Sequence, residues 1–188
     1  MWMHPNKGQW AEPILYKVEL DYGEMFIEKN QFTYALNDFK QKMSHQHENK
    51  SKSTDKSSKI IESHIIKSTF KNSSWAGVKN EKSISSFYRN YFQGNDPLKW
   101  KSKLNSFKLI EFVDFYPNID LVLDGNNEKF KYSFIVYPNT NPAQIQYEIT
   151  GANSVKIDEK GNLIIENRFG NIIEEKPIAW TYSKTGKT

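Results

Sequence analysis

An all-β fold is the first expectation from the sequence, an antiparallel β-sandwich of jelly-roll type with one short helix and one long polar loop. Three observations predict it. Apolar and polar residues alternate with a period of two in several short runs, which places successive side chains on opposite faces of a half-buried strand. Glycine paired with Asn or Asp recurs between those runs, as tight hairpins require. Aromatic residues make up 14% of the 188-residue chain, far more than a disordered segment carries.

The elements follow in chain order. "PILYKVEL" puts Ile14, Tyr16, Val18 and Leu20 on one face, and "QFTYAL" does the same with Phe32, Tyr34 and Leu36. "NDFKQKMSHQHENKSKSTDKSSK", residues 37–59, breaks the pattern. Asn37 or Asp38 is placed to cap a short helix carrying Phe39 and Met43. Residues 44–59 then read as a flexible Lys/Ser/His-rich insertion, too polar to pack. "KLIEFVDFY", residues 108–116, is apolar on both parities and predicts a central strand covered on both sides. In "KFKYSFIVY", Phe130, Tyr132, Phe134 and Val136 face in while Lys129, Lys131 and Ser133 face out. "QIQYEI" adds Ile145, Tyr147 and Ile149. Hairpin loops are expected at "DGNNEK", "DEKGN" and "RFGN". No repeat or Pro-rich linker divides the chain, so residues 1–188 read as a single domain.

Composition narrows the function. The formal charge is +4, and Arg89 and Arg168 are the only arginines among 26 basic residues. Nucleic-acid readers favour the arginine fork, so no nucleic-acid partner is expected. The absence of cysteine excludes disulfides, thiolate nucleophiles and Cys-type metal centres. No apolar run reaches the roughly 20 residues of a spanning helix, so no membrane insertion is expected. The opening "MWMHPNKGQW" lacks the pattern of a signal peptide, so the signal of an exported protein would lie outside this chain.

Candidate chemistry is sparse. His45 and His47 have the only metal-like spacing, but they fall in the polar insertion with no third ligand in an obvious geometry. No cofactor is expected. Glu111, Asp114, Asp120 and Asp124 cluster in sequence, and a hydrolase needs two such carboxylates across a cleft. Trp10, Trp75, Trp100 and Trp180 would make a sugar-binding face only if exposed rather than packed as core. No nucleophile elbow, phosphate-cradling loop or zincin motif is present. "NYFQGNDPLKW", residues 90–100, offers Asn95, Asp96, Lys99 and Trp100 as ligand-binding candidates, with Asp120 from the following segment. The same residues also read as a strand end, an Asx-Pro turn and the start of the next strand, and this turn reading is the stronger one.

That stretch, with "FYPNIDLVL", "KYSFIVYPNTNPAQIQYEITGANSVKIDEKGNL" and "EEKPIAW", resembles the N-terminal domain of large secreted and surface proteins of Bacteroidota. Such domains precede SBBP-type propeller or immunoglobulin-like repeats, in proteins that end in gliding-motility-associated or type IX secretion sorting domains. Asn6, Gly8, Gln9 and Trp10 fill the opening element, and Tyr91, Phe92, Gly94, Asp96, Pro97, Lys99 and Trp100 the second. Tyr116, Pro117, Ile119, Asp120 and Leu121 fill the third. The chain departs from the pattern at Asn118 (usually Gly), Ser133 (usually Asp) and Asn141 (usually Asp), so no role rests on a carboxylate at 133. The resemblance implies a β-rich, secreted or cell-surface domain, and together with the absence of a coherent catalytic set it leads to the expectation of a non-catalytic module with a structural or adhesion role. Its partners would be other domains of the same protein, and surface glycans or proteins. The alternatives are a carbohydrate-binding module and a hydrolase using an Asp/Glu pair.

Overall fold

The computed structural model describes residues 1–37, 62–77, 79–126, 129–183 and 186–187. Its strands are β1 (Met3–Pro5), β2 (Tyr16–Leu20), β3 (Gly23–Ile27), β4 (Gln31–Asn37), β5 (Ser63–Phe70), β6 (Lys79–Tyr91), β7 (Lys101–Tyr116) and β8 (Ile119–Asp124). They continue with β9 (Lys131–Val136), β10 (Tyr147–Thr150), β11 (Ser154–Ile157), β12 (Leu163–Asn167), β13 (Gly170–Glu174), β14 (Tyr182–Ser183) and β15 (Gly186–Lys187). Helical structure among the described residues is confined to two 3-10 turns, Pro97–Lys99 and Pro142–Gln144. The helix expected near Asn37–Met43, the 44–59 insertion and His45 and His47 lie outside the described residues, apart from Asn37, which ends β4.

Ten strands form one antiparallel sheet in the order β10-β5-β4-β3-β2-β1-β7-β8-β9, with β6 on the free edge of β7. The predicted alternation sets its inner face. Tyr16 and Val18 of β2, and Phe32, Tyr34 and Leu36 of β4, are buried. The sheet curls until its two ends face each other through aromatic rings. Phe32 on β4 meets Phe130 and Tyr132, and Phe70 on β5 meets Phe115, Phe134 and Tyr147. Edge-on ring pairs at these spacings add to the area they bury. The sandwich-like, all-β architecture expected from the sequence is the one adopted.

β7 joins the two layers. Its Phe107 pairs with Met3 of β1, while Leu109 to Phe112 pair with β8 on the same edge. Ile110, Phe112, Phe115 and Tyr116 are buried, whereas Leu109 and Val113 are only half-buried. The central placement is as the apolar run predicts, but the second face is covered only in part. β11, β12 and β13 form a separate three-stranded sheet. It plugs into the core through Ile165, with Leu163, Phe169 and Ile172 packed around it. The hairpins at 158–162 and 168–171 are present, each held by an Asx side chain: Asp158 accepts from the amides of Lys160 and Asn162, and Asn167 from that of Phe169.

Val136, expected on the inner face, is exposed at the end of β9. It shares parity with Phe134 and is the last residue of the strand.

Candidate functional site

The 90–100 stretch is the connection at the far end of the long β6–β7 hairpin. Local chemistry builds it. Asp96 caps the 3-10 turn by accepting the Leu98 amide at 3.0 Å, with Pro97 setting φ at the first turn position. The indole N–H of Trp100 donates to Gly94 O at 3.2 Å, and its ring lies 5.4 Å from that of Phe92. The second 3-10 turn repeats the device, with Asn141 accepting from Ala143 ahead of Pro142. Asn95, Asp96 and Lys99 are exposed. Tyr91 reaches no further than the Trp10 ring, and Phe92 is exposed, so neither joins the main core. Trp100 folds onto its own turn rather than anchoring β7.

The opening motif serves this arm. Asn6 Oδ1 accepts from the amides of Gly8 and Trp10, and its Nδ2 donates to the carbonyls of Trp10 and Ile14. That loop holds Trp10 against Tyr91. Trp2 packs edge-on against Phe87, and Arg89 forks onto both oxygens of Glu19 at 2.6 and 3.1 Å. These contacts hold β6 from Phe87 to its last residue, Tyr91, and the turn residues beyond it are exposed.

Asp120 lies at the other end of β7, so the structure does not bring it to the tip residues. It is buried, and its carboxylate accepts from the Asp114 amide at 2.7 Å and the Tyr137 hydroxyl at 2.8 Å. The first bond pins an irregularity where Phe112 pairs with Leu121 but Tyr116 with Ile119. Asp114 takes φ +49° there, a left-handed conformation that Asp tolerates better than most residues. The bulge turns Asp114 outward, although its parity matches that of the buried Phe112, and lets the adjacent Phe115 and Tyr116 both enter the core. Glu111 is bound by Asn80 and Lys82, and both hold its carboxyl below the usual range. Asp124 caps the β8–β9 hairpin through the Asn126 amide. Each of these three carboxylates is thus engaged locally.

Three other polar clusters were not legible in the sequence, because each joins distant segments. Tyr16, Lys79 and Glu81 form a hydrogen-bonded trio, with Lys79 Nζ 2.5 Å from the phenol oxygen. Burial first, then Glu81, pushes the Tyr16 hydroxyl pKa up. Tyr132 and Tyr147 both donate to Glu174 of β13, at 2.8 and 3.2 Å. Burial, reinforced by Glu174, raises both, Tyr147 to about 12. Buried His4 places Nδ1 2.6 Å from Ser106 Oγ. These phenols and this imidazole are neutral at pH 7, enclosed, and act as links between strands. No group of three His, Asp or Glu side chains among the described residues has metal-binding geometry. His64 instead bonds the Gly151 carbonyl.

Two hollows of about 260 and 310 Å³ open on the surface. The first is lined by Lys29, Asn30, Ser73 and Trp75, the second by Tyr147, Ile149, Val155 and Leu163. Neither gathers paired carboxylates. Of the tryptophans considered for sugar binding, Trp75 is buried and Trp10 half-buried, while Trp100 and Trp180 are exposed. Six of the sixteen large apolar side chains exposed among the described residues lie between 84 and 100, on the arm: Ile84, Phe87, Tyr88, Phe92, Leu98 and Trp100. "SISSFYRNYF" carries this signal in sequence as a strand without alternation.

No helix among the described residues is long and apolar enough to cross a membrane. No curated protein and no solved structure matches the chain. A match over residues 3–188 does assign it: the protein belongs to the DUF7948 family, a domain of unknown function.

Proposed function

We propose that this domain is a non-catalytic contact module of a larger secreted or cell-surface protein, with a structural or adhesion role, and that the β6–β7 arm is its contact surface. One observation carries the reading. Six exposed apolar side chains lie within residues 84–100 of an arm held to the body, while Glu111, Asp120 and Asp124 are engaged in hydrogen bonds. The resemblance to surface-protein domains supports the setting, with other domains of the same chain and surface glycans or proteins as partners.

The test is direct. Immobilised cell-envelope glycans and proteins should retain the wild-type domain, and an arm variant, Tyr88→Ser with Phe92→Ser, should be released. A panel of glycan and peptide substrates should show no turnover. Hydrolysis that disappears in Asp120→Asn, with the melting curve unchanged, would instead establish the hydrolase. Because buried Asp120 accepts two partly buried hydrogen bonds, Asp120→Ala should cost about 1–3 kcal/mol of stability.

A carbohydrate-binding module is the second reading, favoured by the neighbouring exposed rings of Phe92 and Trp100. Their planes meet at 65°, so a sugar would stack on one ring at a time rather than on a flat platform.

A further inference from the structure

We propose that the tip of the β6–β7 arm docks on the surface of anionic lipid bilayers, an inference that rests on reading the arm as the contact surface. Leu98 stands on the 3-10 turn at 88% exposure, flanked by Phe92 at 60% and Trp100 at 41%. Lys99 stands beside Leu98 on the turn, Lys101 and Lys103 follow at the start of β7, and Asp96 is the single acidic residue from 90 to 104. The Asp96 carboxylate already accepts the Leu98 amide. The tip therefore presents an apolar point next to a lysine-rich strand start.

That combination fits a bilayer interface better than the other surfaces such an arm meets. A nearly bare aliphatic side chain gains nothing from a sugar face or a phosphodiester, but it is withdrawn from water on entering the acyl boundary. Trp and Phe favour the headgroup layer, where an amphipathic ring has both an apolar and a polar neighbour. The Trp100 N–H is already satisfied by Gly94 O, so the ring can leave water without orphaning its donor. Lysines extend their ammonium groups to headgroups while their stems cover apolar surface. Each adds attraction to an anionic leaflet worth about fivefold in affinity. The Arg89–Glu19 fork and the Trp2–Phe87 and Trp10–Tyr91 contacts hold the arm before any contact is made, which lowers the ordering cost of docking. A three-residue point spans nothing; this is contact at the headgroup layer.

Co-sedimentation of the domain with phosphatidylcholine vesicles, with and without phosphatidylglycerol, tests the proposal. The domain should partition to the mixed vesicles and only weakly to pure phosphatidylcholine, with binding falling as salt rises. Leu98→Asp should weaken partitioning by about tenfold or more, and Lys99→Glu with Lys101→Glu should abolish the preference for phosphatidylglycerol. Thermal melts should stay close to wild type, because Leu98 and Lys99 are exposed and Lys101 is only half-buried. The fluorescence difference between wild type and Trp100→Phe should shift to the blue on adding mixed vesicles. Absence of vesicle binding at low salt overturns the proposal, as does equal binding by wild type and Leu98→Asp. Binding to an acidic polysaccharide or to nucleic acid without vesicle binding also overturns it, and the contact-module reading then survives on a different partner. If arm variants change neither vesicle binding nor retention on envelope material, both readings fall.

Discussion

His4 and Ser106 are 102 positions apart in sequence, and the contact between them exists only because β1 pairs with the middle of β7. Burial lowers the His4 pKa from 6.5 to about 4, with nearby Arg89 adding to the effect and Glu19 opposing it. The unfolded chain therefore takes up a proton that the folded chain refuses. Stability should be complete above about pH 6.5 and fall as pH drops towards 4, by an amount on the order of 3 kcal/mol. Glu19 and Glu111 have pKa values lowered from 4.5, so their losses begin only as pH falls to that ordinary carboxylate value and are complete below the folded pKa. Urea unfolding between pH 7 and pH 5 thus isolates the histidine. Wild type should lose stability across that window, and His4→Gln should show a nearly flat profile there. A wild-type profile equally flat would mean that the imidazole is solvated. The sequence shows a histidine in "WMHPN" and nothing of its partner, since a dyad across two strands depends on register.

At the scale of elements, turns and alternating strands were legible and irregularities were not. "RFGN" and "DEKGN" predict their own hairpins, because an Asx side chain and a glycine decide the backbone locally. The tip turn was legible for the same reason. Asp96→Ala removes the cap of the 3-10 turn and should cost about 1 kcal/mol, whereas Asp96→Asn, which keeps an acceptor, should cost little. Differential scanning calorimetry of the two variants checks this, and equal losses would show that charge rather than capping matters. The β7–β8 bulge was hidden. Asp114 has the parity of a core position, and only the Asp120 carboxylate on the next strand explains why it faces out. β6 was equally obscure, since "NEKSISSFYRNY" does not alternate. It is extended because β7 supplies hydrogen-bond partners along its length, a case of tertiary context overriding local pattern.

The whole molecule closes where the ends of the ten-stranded sheet meet. Phe70 lies at that seam, fully buried against Phe32, Phe115, Phe134 and Tyr147. Phe70→Ala should cost about 3–5 kcal/mol, the range for deleting a buried ring. Chemical denaturation gives the value, and a loss under 1 kcal/mol would mean that the two layers do not depend on this contact. Glu174 holds the small sheet to the same seam through Tyr132 and Tyr147, so the plug and the closure share residues.

By itself the sequence determined the class of fold, the faces of its alternating strands and the chemistry of its turns. These depend on periodicity and on contacts within a few residues. It also determined what is missing from the chain, namely thiols and the motifs of familiar hydrolytic sites. Tertiary structure decided which polar residues meet, that Asp120 and the tip residues stand at opposite ends of β7, and that six apolar side chains of the β6–β7 arm stay exposed. The reason is physical. Register and curl are set by the packing of the whole sheet, and a one-residue shift in register would exchange every inward side chain for an outward one.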